Sequence, residues 1–167
     1  MASARTTLLF LATLAMGLIA GFFYAYACSV MVGLDRVDDH TFISTMQWIN
    51  ATVRNVWFAL SFFGALALTT VTALLHLRRP ERRLLVWIGA GLVLYVAAFA
   101  ITMGISVPLN EELAAAGDPA LIVDKAAVRA AYEDVWVNWN LVRTLASTAA
   151  LACLVRAVAV SRRRISL

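Results

Sequence analysis

Trp136-Val137-Asn138-Trp139-Asn140-Leu141-Val142-Arg143 opens the last of four apolar stretches, and its arginine governs how the whole chain must be read. Wound as a helix, Trp136, Asn140 and Arg143 stand at i, i+4 and i+7 and share one face. Trp139 and Ser147 fall beside them, with Tyr132 and Glu133 one turn earlier on the same side. A guanidinium inside an apolar span is costly, roughly 2.5–3.5 kcal/mol at a bilayer centre and less near the interface. Arginine cannot discard its charge, so its partners must be oxygens. The rest of the chain is therefore expected to bring oxygens to Arg143.

The composition sets the class. The 167 residues are 62% hydrophobic and only 14% charged, whereas a soluble domain is nearer half apolar and a quarter charged. This predicts an all-α integral membrane protein: a four-helix bundle forming one four-span domain over residues 1–167, with an extra amphipathic, extracytoplasmic helical segment. The formal net charge of +4 resides in short clusters at span ends, so it orients the chain in the lipid bilayer and implies no nucleic acid. Cys28 and Cys153 lie in different apolar spans at different depths, which predicts two small core residues and no disulfide.

The first span is expected over about 6–32. Ala25-Tyr26-Ala27 imitates a signal-peptidase site, but the apolar run before it is too long for a cleaved leader. Gly17-x-x-x-Gly21 has the spacing that lets two helix backbones approach closely. After Gly33 a polar link leads to Asp38, Asp39 or Thr41, each able to cap a helix. The amphipathic segment follows, from Phe42 to Trp57, and runs into a second span over about 53–77. Pro80 breaks the basic turn from Arg78 to Arg83, and a third span covers about 84–106. Val107-Pro108-Leu109-Asn110 is expected to break that span, because a residue before proline prefers extended geometry. Asp118-Pro119 reads as a helix cap with a first-turn proline. Helix resumes near Lys125 and continues into the fourth span, about 135–160.

Arg5, the Arg78–Arg83 cluster and Arg162-Arg163-Arg164 fall on one side of this arrangement. The positive-inside rule makes that side cytoplasmic, with both termini there and the bacterial inner membrane as the expected location. Of the ten acidic residues, only Glu81 lies on that side.

Three distant segments then deliver polar groups to one level of the membrane. Gln47, Asn50 and Arg54 come from the first hairpin, Asn110 from the end of the third span, and Trp136, Trp139, Asn140 and Arg143 from the fourth. Mostly apolar walls with a few converging polar groups describe a pocket for a lipophilic small molecule. The competing readings are an interfacial aromatic belt, interhelical hydrogen bonds by the three asparagines, and an ion pair of Arg143 with Glu111, Glu112 or Glu133. His40 and His76 lie at opposite faces and cannot share a metal. No cysteine pair offers thiol exchange, and no span carries a mid-membrane acid for proton relay.

The same residues resemble the anthrone oxygenase-like membrane family. Gly21-Phe22-Phe23-Tyr24-Ala25-Tyr26-Ala27-Cys28-Ser29-Val30-Met31-Val32-Gly33-Leu34 is similar to its first block, with Cys28 and Val32 as departures. Met46-Gln47-Trp48-Ile49-Asn50 with Asn55-Val56-Trp57-Phe58, then Val107-Pro108-Leu109-Asn110, then Trp139-Asn140-Leu141-Val142-Arg143-Thr144 follow in order. The resemblance implies a four-helix membrane fold and oxygenation of a lipophilic aromatic or polyketide substrate by molecular oxygen, with no metal and no cofactor. Such chemistry needs a flat aromatic slot, a base, and donors aimed at a developing oxyanion. Trp136 and Trp139 would form the slot, with Asn50 and Gln47 beside it. Arg143, Asn140 and Asn110 would hold the oxyanion, and Glu133 or His40 would be the base. The alternative is a non-catalytic membrane protein that binds a lipid, a quinone-like ligand or a partner subunit. The sequence leaves open whether copies associate as a homo-oligomer.

Overall fold

The computed structural model describes residues 2–77 and 82–162, the side chains of residues 2, 3 and 162 excepted. The described part is helical, with no strand. The Pro80 turn and the C-terminal arginines beyond Arg162 lie outside the described residues, as do Arg78 and Arg79.

The first apolar run contains no proline and forms one rod: α1 (Ala2–Ala25), a π turn (Tyr26–Val30) and α2 (Met31–Leu34). Asp38 then caps α3 (Asp39–Thr52). Its carboxylate accepts from the Thr41 hydroxyl at 2.6 Å and the Thr41 N–H at 3.0 Å, meeting an orphan donor of the first turn. The hydroxyl first, and the N–H second, hold the Asp38 carboxyl below the usual aspartate range.

The expected continuous helix from Phe42 to Trp57 does not form. The chain turns at residues 53–55, and α4 (Val56–His76) starts afresh. Asn55 explains the break. It is extended (φ −117°, ψ 171°), and its side-chain oxygen takes the Trp57 and Phe58 N–H groups at 3.0 and 3.2 Å. A short amide that satisfies the next turn's donors competes with helix continuation.

Pro108 does not break the third span either. α5 (Arg82–Ile101) passes through a second π turn (Thr102–Ser106) into α6 (Val107–Ala115), and Val107 is helical at φ −66°, ψ −49°. A π turn widens the helix by one residue. That relieves the clash of the proline ring with the carbonyl four residues back and accommodates its missing N–H. Gly117, at φ +82°, ends this rod in the left-handed conformation that favours glycine. Asp118 makes a turn to the Ala120 N–H at 2.9 Å and caps no helix. The cap of α7 (Lys125–Arg162) is Asp124, whose side chain accepts the Ala127 N–H at 2.9 Å.

Among the described residues, four helices are long and apolar enough to cross a membrane: Ala4–Leu34, Val56–His76, Arg82–Ala115 and Lys125–Ser161. They form a ring in which α1 and α5 each pack on both α4 and α7. Leu9, Ala12, Met16, Ile19 and Phe23 line the inner face of α1, and Leu84, Ile88, Gly91, Tyr95 and Ala98 that of α5. Steps of three and four residues are the seam of a helical bundle. Leu18, Leu60, Val93 and Leu145 point outward and are exposed, the arrangement expected when the solvent is lipid.

The 38 residues of α7 extend about 57 Å at 1.5 Å per residue, well beyond a hydrocarbon core of about 30 Å. Its overhang builds a second core, a cap. Met31 and Leu34, Phe42, Ile43 and Met46 from α3, Leu113 from α6, and Tyr132 and Trp136 from α7 close on one another. Arg129 fastens the cap. It donates to the carbonyls of Leu34, Asp35 and Val37, and to the carboxylates of Asp39 and Glu133. Its guanidinium also lies 4.5 Å from the centre of the Phe42 ring.

The close backbone approach is not at Gly17-x-x-x-Gly21. A Cβ on Gly17 would first meet Leu151 at 3.8 Å, and one on Gly21 would meet nothing within 4 Å. It is at Gly91, where an added Cβ would stand 3.2 Å from the Ala150 carbonyl oxygen. Cys28, expected in the core, is exposed on the first π turn.

Candidate functional site

Arg143 lies where the membrane core meets the cap, with only 5% of its surface exposed. Its guanidinium is held between two rings, 4.5 Å from the centre of Phe23 and 4.9 Å from that of Trp136. Nε donates to Asn140 Oδ1 at 3.1 Å, and Nη1 reaches Thr102 Oγ1 at 3.5 Å. Asn140 is itself anchored, its Nδ2 donating to the Phe23 carbonyl at 3.2 Å. Arginine has five N–H donors, so most find no protein acceptor among the described residues. Among the described residues no carboxylate comes within ion-pairing distance of Arg143.

Trp136 is fixed in turn by Asn110, the residue two places after Pro108. Asn110 Oδ1 accepts from Trp136 Nε1 at 3.0 Å and from the Tyr132 hydroxyl at 2.8 Å. Asn50 Nδ2 donates to the same hydroxyl at 3.2 Å. Asn110 of α6 thus holds the indole so that its face meets the cation, and Asn50 of α3 holds Tyr132 against the same asparagine. Arg143, Trp136, Asn110, Asn50, Thr102 and Ser106 share the lining of a cavity of about 90 Å³. Ser106 Oγ is buried and has no hydrogen-bond partner. The lining holds no carboxylate and no imidazole. In chemical terms this is a small space with a desolvated cation, a free hydroxyl and aromatic walls, suited to a negative oxygen.

A family model described as anthrone oxygenase matches residues 54–153, more than half of the chain. The chain belongs to the anthrone oxygenase family. The match contains Thr102, Ser106, Asn110, Trp136, Asn140 and Arg143, and it leaves α1 and α3 outside. No curated protein and no solved structure matches the chain significantly.

Within this anthrone oxygenase fold, Arg143, Asn140, Trp136, Asn110 and Asn50, all singled out from the sequence, come together. The others do not. Trp139 is over a third exposed and is absent from the cavity lining. Gln47 Nε2 donates to the carbonyls of Leu113 and Gly117 at 2.8 and 3.0 Å and so ties down the loop after α6. Glu133, expected as a base, is bound by Arg129, and Glu111 pairs with Arg54 at 3.3 Å. His40 lines an open cleft on the outer side of α3, with Ser44 and Trp48. The oxygen delivered to Arg143 by the third span comes from Thr102, and Asn110 is occupied by Trp136 and Tyr132. Phe23, Thr102 and Ser106 were missed. Thr102, Ser106 and Asn110 recur at i, i+4 and i+8, a polar stripe in an apolar span that the sequence displays.

Proposed function

We propose that this protein catalyses cofactor-independent oxygenation of a lipophilic, hydroxylated polycyclic aromatic compound, with Arg143 binding the substrate's oxyanion. The observation that carries this reading is the buried guanidinium that faces a cavity with no carboxylate to neutralise it. A cation kept in low dielectric without a counter-ion is a strong site for an anion. Family membership agrees with it: Arg143, Asn140, Trp136, Asn110, Thr102 and Ser106 fall within the matched stretch, whereas the lining residues from Phe22 to Val53 lie outside it.

An anthrone-type substrate has a weakly acidic ring C–H para to a carbonyl. Loss of that proton leaves an enolate whose oxygen carries the charge. With no carboxylate or imidazole in the lining, the proton departs to water, and the site selects the ionised form. The enolate carbon then reduces dioxygen and bonds to it, giving a peroxide. Loss of the second C–H proton with cleavage of the O–O bond gives the ring ketone, and hydroxide with a proton leaves as water. Substrate and dioxygen thus become quinone and one water. In this scheme Arg143 stabilises the anion, Asn140 aims Arg143, and Asn110 and Asn50 position Trp136 and Tyr132. Glu133 takes an anchoring role in the cap. We place both termini in the cytoplasm, from the basic clusters.

The cavity's 90 Å³ is below the roughly 300–1,000 Å³ of ordinary ligand pockets. That observation favours a second reading, a non-catalytic protein that binds only the polar end of a quinone-like lipid. The purified protein given anthrone separates the two. We expect oxygen uptake matched by anthraquinone formation, faster as pH rises through the ionisation of anthrone itself. Arg143→Leu and Arg143→Lys should each slow it about 10²–10³-fold, as loss of an oxyanion donor does. Uptake equal to that of protein-free solution overturns the catalytic reading.

A further inference from the structure

A three-ring aromatic does not fit in 90 Å³, yet a much larger space adjoins it. Between α1 and α4 lies an apolar groove of about 790 Å³, lined among others by Leu14, Leu18, Trp57 and Ser61. Phe22, Val53 and Phe58 line both the groove and the polar cavity. The Phe22 and Phe58 rings stand 5.2 Å apart at 58°, forming the partition. Phe58 also ends a column of near-parallel rings: Phe99 to Phe62 at 4.8 Å and 16°, then Phe62 to Phe58 at 5.2 Å and 15°. Val53 belongs to the short non-helical link before α4, which ends at Asn55. Aromatic walls, a volume in the ligand range and a wall shared with the cavity of an unpaired cation are what an amphiphilic flat molecule requires.

We propose that the α1/α4 groove is the binding site for the ring system of the substrate, which arrives sideways from the bilayer and passes its oxygen-bearing end between Phe22 and Phe58 to Arg143. This rests on the reading of Arg143 as an oxyanion site and adds where the rest of the ligand sits. An annular phospholipid chain would also wet the groove, but it offers no anion that could reach Arg143 through the partition. A planar ligand extends the ring column at Phe58 and ends in an oxygen. The groove therefore selects for flat ring systems, and the cavity selects for the ionised oxygen at one edge.

The test uses the full chain in phosphatidylcholine nanodiscs and 1,8-dihydroxyanthraquinone as a stable probe, its binding followed by quenching of tryptophan fluorescence. Leu14→Trp and Leu18→Trp narrow the groove from lipid-facing positions, where folding is little affected. Val93→Trp on α5, exposed and outside the groove, is the control. We expect the two groove variants to weaken binding at least tenfold and the control to leave it unchanged, each compared with its own unquenched signal. If Arg143→Leu abolishes binding while the groove variants bind as the wild type does, the oxyanion reading stands, the groove holds ordinary lipid and this proposal fails. If the wild type does not bind the probe, both fail.

Discussion

At the scale of single residues, Arg143 carries its charge into a buried position and is held by two ring faces, the Asn140 amide and the Thr102 hydroxyl in place of a carboxylate. Two rings at 4.5 and 4.9 Å contribute about 0.5–2 kcal/mol each as cation–π contacts. That offsets part of the burial penalty without a carboxylate partner among the described residues, which is why we assign the charge to a ligand. Asn140 makes the distinction testable. Asn140→Asp would place a carboxylate against Nε and supply the missing counter-ion. We expect that variant to melt no lower than the wild type and to lose probe binding and turnover. Asn140→Leu removes two hydrogen bonds, and interhelical bonds in membranes average only about 0.6 kcal/mol. Its melting temperature should therefore fall little, while turnover falls at least tenfold because Arg143 is no longer aimed. If Asn140→Asp keeps full activity, the positive charge at Arg143 is structural.

At the scale of elements, two π turns shape the site. The second one lets α5 continue into α6 through Pro108, so Thr102, Ser106 and Asn110 stay on one rod. The four spans, the amphipathic α3 and the Asp38 cap were legible from composition, period and capping chemistry. The two breaks were misplaced for a shared reason. A proline rule and an apolar period describe local preference, whereas Asn55 and the π turn settle which backbone donors are satisfied. Trp136, Asn140 and Arg143 were legible because polar groups on one face of an apolar span must find polar partners away from lipid. Arg129 was not, since its acceptors are carbonyls of a loop more than ninety residues away. Arg129→Ala should lower stability by at least about 1.5 kcal/mol, the lower end for a hydrogen bond to a charged group. It should leave probe binding by the folded fraction intact. Gly91→Leu should separate α5 from α7 at the Ala150 carbonyl and prevent a stable bundle, read as aggregation in detergent. A monodisperse, active Gly91→Leu protein would contradict the packing described.

At the scale of the whole molecule, the bundle buries an apolar core, and the overhanging helix ends build the cap beside the site. We place the cap on the outer side, from the basic clusters. In a background without Cys28 and Cys153, Arg79→Cys should be labelled only from the cytoplasmic side and Asp118→Cys only from the opposite side. Labelling of both from one side would reverse or abolish that topology. The membrane setting also gives the central claim its most direct test. An opposite charge within about 4–6 Å lowers an acid's pKa by roughly 1–3 units, more in a site that excludes water than in solution. The absorption spectrum of 1,8-dihydroxyanthraquinone changes when it ionises, so its titration can be read while it is bound. With the wild type in nanodiscs we expect the bound probe to ionise at least about one unit below the same probe in protein-free nanodiscs, and Arg143→Leu to remove that shift. A bound probe that ionises at or above the protein-free value, or a shift that survives Arg143→Leu, would contradict the assignment of Arg143 as the oxyanion site.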